Sequence, residues 1–331
     1  MGPASPFGPI ALKSIALMVA TGLLLLVGLL AGWLWTPDRP RAELERLYLA
    51  APTDLIELAG MRLHVRDSGP KHAPTVILLH GFGASLHTWE PWAKVLERDL
   101  RVVRIDLPGS GLSAPDPTGD YTDARSITVL LALMDRLGLA KASLVGHSIG
   151  GRIAWMLAAK HPERIDQLVL VAPDGFASPG FEYGQAPRVG LAVKAMRYFL
   201  PKWLLRMSLA PAYGNPAAMT DALATRYHDL MLGPGTREAM IARMQQTVLA
   251  DPAPLLAQIS APTLLVWGEK DGAIPFGNAA DYQRALPQAK LASFPGVGHL
   301  PHEETPSRTL APVRAFLLEP AAAATPGRTQ P

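Results

Sequence analysis

Apolar and polar positions along this chain follow three regimes. From Ser14 to Trp35 the sequence is apolar and uncharged, and roughly 20 such residues in a helix span the hydrocarbon core of a bilayer. From Thr53 onward, short apolar runs alternate with amphipathic stretches. Thr53–Leu58 and Met61–Asp67 read as two strands joined in a hairpin at Ala59-Gly60. Strands are then predicted at Thr75–Leu79, Leu100–Ile105, Ala142–Val145, Ile165–Val171, Thr263–Trp267 and Lys290–Phe294. Helices are predicted at Thr88–Glu97, Thr122–Leu137, Gly151–Lys160, Gly277–Ala285 and Glu304–Leu318. Strands alternating with helices imply crossover units and a mostly parallel sheet covered on both faces. The third regime interrupts the second: from about Gly175 to Pro254 the pattern is helical and punctuated by proline, with no strand. An insertion between two strands, near their carboxyl ends, usually covers a site.

The resulting organisation is a tail over 1–13, a membrane segment over 14–35 and a juxtamembrane linker over 36–52, which includes a short helix at Arg41–Ala50. A core follows over 53–174 and 257–319, split by a helical lid over 175–256, and an Ala/Pro/Thr-rich disordered tail over 320–331. A cleaved signal peptide competes with an uncleaved anchor for the first apolar segment, because Lys13 precedes it. Cleavage needs small residues one and three positions before the cut. Ala31 has Leu29 two positions earlier and Gly32 has Leu30, so the anchor reading is preferred. Lys and Arg counts place the following domain in the cytoplasm, whereas a short tail before a long domain favours the opposite side; the orientation stays open.

A hydrophobic fraction of 49% against 18% charged residues allows a large core and excludes wholesale disorder. The net charge of +3 is spread without a block of like charges, which gives no reason to expect nucleic acid. With no cysteine, disulfides, thiolate catalysis and iron–sulfur clusters are excluded. His302-Glu303-Glu304 lacks the spacing of a zinc-protease helix and reads as a helix start, so no metal and no cofactor are expected.

The strongest chemical signal is Gly146-His147-Ser148-Ile149-Gly150, directly after one predicted strand and before a helix. That context is what a nucleophile elbow requires: a turn so tight that its flanks must be small, lifting the serine hydroxyl over the sheet edge. A serine hydroxyl attacks only when a base takes its proton, and the base needs a partner to hold its tautomer. In the elbow architecture the order is serine, acid, histidine. Asp271 leaves a predicted strand in Trp267-Gly268-Glu269-Lys270-Asp271, and His299 follows the last strand in Gly296-Val297-Gly298-His299. Asp174 and His302 are kept as the alternative acid and base. Two backbone N–H groups are expected to stabilise an oxyanion, that of Ile149 and that of Phe82 in His80-Gly81-Phe82-Gly83. His80 itself is read as a loop-holding residue.

These motifs, together with Asp106-Leu107-Pro108-Gly109-Ser110-Gly111-Leu112-Ser113 and Gly268-Glu269-Lys270-Asp271, make Leu55–Leu318 resemble the α/β-hydrolase superfamily. The resemblance implies an eight-stranded sheet, hydrolysis of an ester or related bond, and a triad of Ser148, Asp271 and His299. It extends to the branch of carboxylesterases, haloperoxidase-like enzymes and C–C bond hydrolases of ring-cleavage products. Epoxide hydrolases and haloalkane dehalogenases of that branch carry aspartate where Ser148 stands. C–C hydrolases commonly carry tryptophan after the catalytic histidine, where this chain has Leu300. The resemblance assigns the Asp106 loop a structural role.

Three functions follow. The first is an esterase on small-molecule or lipid-like esters, tethered by the N-terminal helix. The second is a C–C or amide hydrolase with the same triad, and the third a non-catalytic receptor that kept the fold. Between Tyr183 and Thr220 there is no Asp or Glu, while Arg188, Lys194, Arg197, Lys202 and Arg206 fall among apolar residues. This composition reads primarily as a lid with a solvated basic face, and secondarily as a surface that lies on lipid.

Overall fold

The computed structural model describes residues 9–178 and 182–319, so the predicted disordered tail lies outside the described residues. Its strands are β1 Leu55–Leu58, β2 Met61–Ser68, β3 Thr75–Leu79, β4 Arg101–Ile105, β5 Ala142–His147, β6 Ile165–Val171, β7 Thr263–Gly268 and β8 Lys290–Phe294. They form one eight-stranded sheet in the order β1-β2-β4-β3-β5-β6-β7-β8. β2 pairs antiparallel with β1 and β4, and every later pairing is parallel. The first two strands join where expected, with Ala59 (φ 52°) and Gly60 (φ 82°) making a left-handed turn that matches the strand twist.

The helices are α1 Pro9–Leu34, α2 Arg41–Tyr48, α3 Glu90–Leu96, α4 Asp123–Arg136, α5 Ile149–Lys160, α6 Leu191–Ala195, α7 Lys202–Leu209, α8 Asp221–Met231, α9 Thr236–Gln246, α10 Ala253–Leu256, α11 Asn278–Ala285, α12 Pro301–Glu304 and α13 Pro306–Leu318. Proline accounts for two differences from the predicted boundaries. The helix expected at Thr88–Glu97 is a 3₁₀ turn over Leu86–Trp89 that passes into α3, with Pro91 in its first turn. The helix expected from Glu304 is divided into α12 and α13, because Pro306 has no N–H to continue the ladder. α5 begins at Ile149 rather than Gly151, immediately behind Ser148.

Alternation along each strand sends neighbouring side chains to opposite faces. Ile77, Leu79, Leu144, Leu168, Leu170 and Leu265 join one core with α4, α5 and α11. Val76, Leu78, Val145, Val169, Val171 and Val266 join the other with α3 and α13. Both faces are therefore buried, which explains why these strands read as continuous apolar runs. Between β6 and β7 the chain forms α6–α10 and no strand among the described residues. These helices bury a cluster of their own, containing Leu205, Tyr213, Met219, Tyr227 and Met240, over Ala84 and Leu300.

The stretch 36–48 is packed rather than free. Leu44 of α2 is fully buried against Leu112 and Leu230. Trp35 stacks on Tyr198 with ring centroids 5.8 Å apart. The Thr36 N–H donates to Tyr198 O at 2.9 Å, and Arg237 donates to Thr36 O at 2.8 Å. The end of α1 is thus bound to the helical insertion. Along Lys13–Leu34 the helix itself is long and apolar enough to cross a membrane, and the described residues leave its apolar stretch unburied.

Candidate active site

Ser148 sits between the carboxyl end of β5 and the start of α5, at φ 53° and ψ −120°. A non-glycine residue there is strained by about 1–3 kcal/mol, and the surroundings hold it in place. Its N–H donates to Val171 O at 3.1 Å, and its carbonyl accepts from Arg152 N and Asp174 N. The elbow is also sterically closed. A Cβ on Gly150 would lie 2.5 Å from the carbonyl oxygens of Leu79 and His80. A Cβ on Gly81, in the loop after β3, would lie 2.5 Å from His147 Nδ1 and 3.2 Å from Ser148 Cβ. The small residues of both motifs therefore bring the 80–83 loop against the serine.

Two other predicted residues meet directly. Asp271, at the end of β7, accepts from the N–H groups of Ala273 and Ile274 at 2.8 Å each through Oδ1. Its Oδ2 lies 2.7 Å from His299 Nδ1. That contact puts a proton on Nδ1 and leaves Nε2 as the acceptor. The His299 backbone N–H donates to Ala212 O at 2.6 Å. His299 and Ser148 line the same two cavities. Among the described residues, neither Phe82 N–H nor Ile149 N–H donates to a protein acceptor.

His80 holds its loop as expected. Leu107 N–H donates to Nε2 at 3.0 Å, which leaves Nδ1–H to donate to Gly81 O at 2.7 Å. Burial pushes its pKa down, so it stays neutral. Asp106 is likewise a brace: its carboxylate accepts from Leu86 N at 2.6 Å and Leu112 N at 2.8 Å and meets His64 Nδ1 at 2.7 Å.

The alternatives are placed elsewhere. Asp174 pairs with Arg152, not with a histidine. His302 is fully buried behind the site, stacked on Trp89 and bonded through Nε2 to Thr88 Oγ1 at 2.9 Å. His147 lies between it and His299, with ring centroids 4.6 Å from each. Its Nε2–H donates to His299 O at 2.9 Å. Burial, then the neighbouring His299 and His302, hold the His147 pKa well below its ordinary value. A neutral His147 keeps a second positive charge away from His299 when that ring takes up a proton.

Two mostly apolar cavities share Phe82, Ser148, Ala273 and His299 and differ in whether charged residues line them. One, of about 250 Å³, is walled by Leu209, Tyr213, Met219, Tyr227 and Leu300. The other, of about 210 Å³, contains Arg152, Asp174, Arg243 and Thr247. Of this set sequence reading named only Asp174, as an alternative acid; it missed Arg152, Arg243 and Thr247 and also the bracing role of two glutamates. Glu303 bonds Tyr213, Tyr227 and Arg226, while Glu304 accepts from Gly214 N, Asn215 N and Gly298 N. The available signal for Arg243 was its spacing in α9. It lies three and four residues after Met240 and Ala239, on the buried face.

The sequence profile of the alpha/beta hydrolase fold matches residues 74–306. The chain belongs to this family. A Burkholderia cepacia 2-hydroxy-6-oxo-6-phenylhexa-2,4-dienoate hydrolase is 30% identical to this hydrolase, over 73% of this chain and 86% of the relative. The enol-lactonase from Burkholderia xenovorans LB400 superposes with a TM-score of 0.68 at 25% identity, covering 80% of this chain and all (100%) of the enol-lactonase. A bacterial membrane phospholipase A superposes at 0.69 with 24% identity, covering 91% of this chain and 97% of the phospholipase, a likeness of fold.

Proposed function

We propose that this hydrolase cleaves carboxylic esters through an acyl-enzyme on Ser148, with His299 as base, Asp271 as its orienting acid and the N–H groups of Phe82 and Ile149 as oxyanion donors. The observation that carries this reading is that one cavity wall brings together a strained serine, a histidine held from behind by a buried carboxylate, and two residues, Phe82 and Ile149, whose N–H groups are unpaired among the described residues. His299 takes the Ser148 proton as the oxygen attacks the carbonyl carbon. The carbonyl oxygen, now negative, accepts from Phe82 and Ile149. The protonated His299 gives its proton to the leaving alcohol, then activates water, which releases the acid. The apolar cavity beside Ser148 suits an acyl chain, and the resemblance to an enol-lactonase supports ester chemistry. The dienoate hydrolase relative favours a second reading, cleavage of a C–C bond by the same residues. Leu300 after His299 weighs against it. A panel of p-nitrophenyl esters with acyl chains of increasing length, alongside the dienoate, separates the two. Turnover of the esters, peaking at a medium or long chain, is expected; turnover of the dienoate alone would select the second reading.

We also propose that α1 anchors the protein and that the lid lies on the bilayer. Support comes from the attachment of Trp35 and Thr36 to the lid and from exposed apolar residues on it, Leu191 at 84%, Met207 at 64% and Trp203 at 49%. The basic residues among them complement anionic lipid. Because the chain has no cysteine, single spin labels at Leu24→Cys, Leu191→Cys, Met207→Cys and Glu163→Cys report depth in anionic vesicles. Position 24 is expected in hydrocarbon, 191 and 207 at the interface and 163 in water. A label at 24 that reads as aqueous would overturn the anchor. A label in lipid at 24 with 191 and 207 in water would overturn only the lid contact.

A further inference from the structure

Four arginines are less than a tenth exposed: Arg104, Arg152, Arg237 and Arg243. The first three each pair with a carboxylate, Arg104 with Glu90, Arg152 with Asp123 and Asp174, and Arg237 with Asp38. Arg243 has no carboxylate within ion-pair distance among the described residues. Its guanidinium makes only three long bonds to neutral acceptors, to Tyr121 O at 3.3 Å, Ser126 Oγ at 3.3 Å and Pro108 O at 3.2 Å. The side chain stands in the wall of the cavity that holds Ser148 and Ile149.

The Arg243 guanidinium also lies over the Tyr121 ring, 5.5 Å from the centroid, but a buried cation with no directly bonded anion recovers only part of its desolvation cost. Burial indeed pushes the Arg243 pKa down to about 10, which still leaves it charged at neutral pH. Asp123 and Asp120 act on it through space, but the Asp123 carboxylate bonds Arg152 and no carboxylate bonds the Arg243 guanidinium directly among the described residues. Tying α9 to the loops at 108 and 121 would need donors, which a neutral side chain also supplies; it would not need a charge.

We infer that the cavity containing Arg243 is a subsite for an anionic group, a carboxylate or a phosphate, carried by the part of the substrate that does not occupy the neighbouring cavity lined by Leu209, Met219 and Leu300. The inference rests on the ester reading for the direction of the substrate. An apolar acyl chain then occupies the side lined by Leu209, Met219 and Leu300, and the alcohol portion with its negative group occupies the side of Arg243. Bound there, the anion accepts from the guanidinium and gives it the directly bonded anionic partner that the other three buried arginines have. The substrate class becomes an anionic amphiphile ester.

The test uses the full chain in neutral detergent, with butyl esters whose alcohol part ends in a carboxylate, a phosphate or an uncharged amide. The wild type is expected to favour at least one anionic ester over the amide by roughly 10- to 100-fold in kcat/KM. Arg243→Met is expected to bring the kcat/KM of the anionic and amide esters to within about 2-fold of each other, and Arg243→Lys to recover part of the preference. Which anion is preferred distinguishes carboxylate from phosphate. Calorimetry of pentanoate and butyl phosphate against butanol reads the same subsite without turnover. Equal use of charged and uncharged esters by the wild type, or a loss in Arg243→Met shared equally by all three, would overturn the inference. Failure to cleave any ester while the anions still bind in an Arg243-dependent way would instead overturn the ester reading. If Arg243→Met does not fold, the wild-type preference and the calorimetry decide.

Discussion

Ser148→Ala will lower kcat for ester substrates by roughly 10⁴- to 10⁶-fold, leaving a folded protein. The contacts that fix the elbow are all main-chain: the Ser148 N–H to Val171, and its carbonyl to Arg152 N and Asp174 N. Alanine keeps every one of them, and the φ of 53° is no worse for it than for serine. Melting of the variant within about 2 °C of the wild type, together with lost turnover, is the expected pair of results. Retained turnover would move the chemistry to another residue. A large drop in melting temperature would mean that the hydroxyl has a structural part that its surroundings do not reveal.

Asp271→Asn should lower kcat by about 10⁴-fold without disturbing the loop. The carbonyl oxygen of asparagine can still accept from Ala273 N and Ile274 N, as Oδ1 now does at 2.8 Å. The other end of the group changes sense. An amide NH₂ facing His299 Nδ1 donates where the carboxylate accepted at 2.7 Å, so the ring proton moves to Nε2. The base then meets Ser148 with a donor and cannot take its proton. Steady-state kinetics check the prediction, with KM expected to change far less than kcat because Asp271 itself lines neither cavity. Equal losses in the kcat of Asp174→Asn and Asp271→Asn would contradict the assignment of the acid.

Much of this arrangement was legible in the residues because local rules and the tertiary structure agree. The continuous apolar runs at Thr75–Leu79 and Ile165–Val171 could only be strands buried on both faces, and they are. Gly146 and Gly150 announced a tight turn through the absence of side chains, and the packing of Gly150 under His80 shows why. The order serine, acid, histidine then narrowed the choice to residues at strand ends, which the sheet gathers at one edge. What stayed hidden depends on distant pairings that no short window records. Arg243 reads as an ordinary helical arginine until the exposed and buried faces of α9 are known. Asp174 passed as a rival acid until Arg152, one turn beyond the elbow, was seen to hold it. The packing of 36–48 on the core was hidden for a similar reason, since Leu44 meets partners near positions 112 and 230.

The proposed chemistry turns on one oxygen atom, and a fluorophosphonate probe reads it directly. After labelling of the full chain and tryptic digestion, the peptide spanning 142–152 carries two serines, Ser143 and Ser148. Fragmentation is expected to place the adduct on Ser148, with no adduct in Ser148→Ala and much slower labelling in Asp271→Asn. An adduct on a different serine, or ester turnover by a protein whose Ser148 never reacts, would contradict the account.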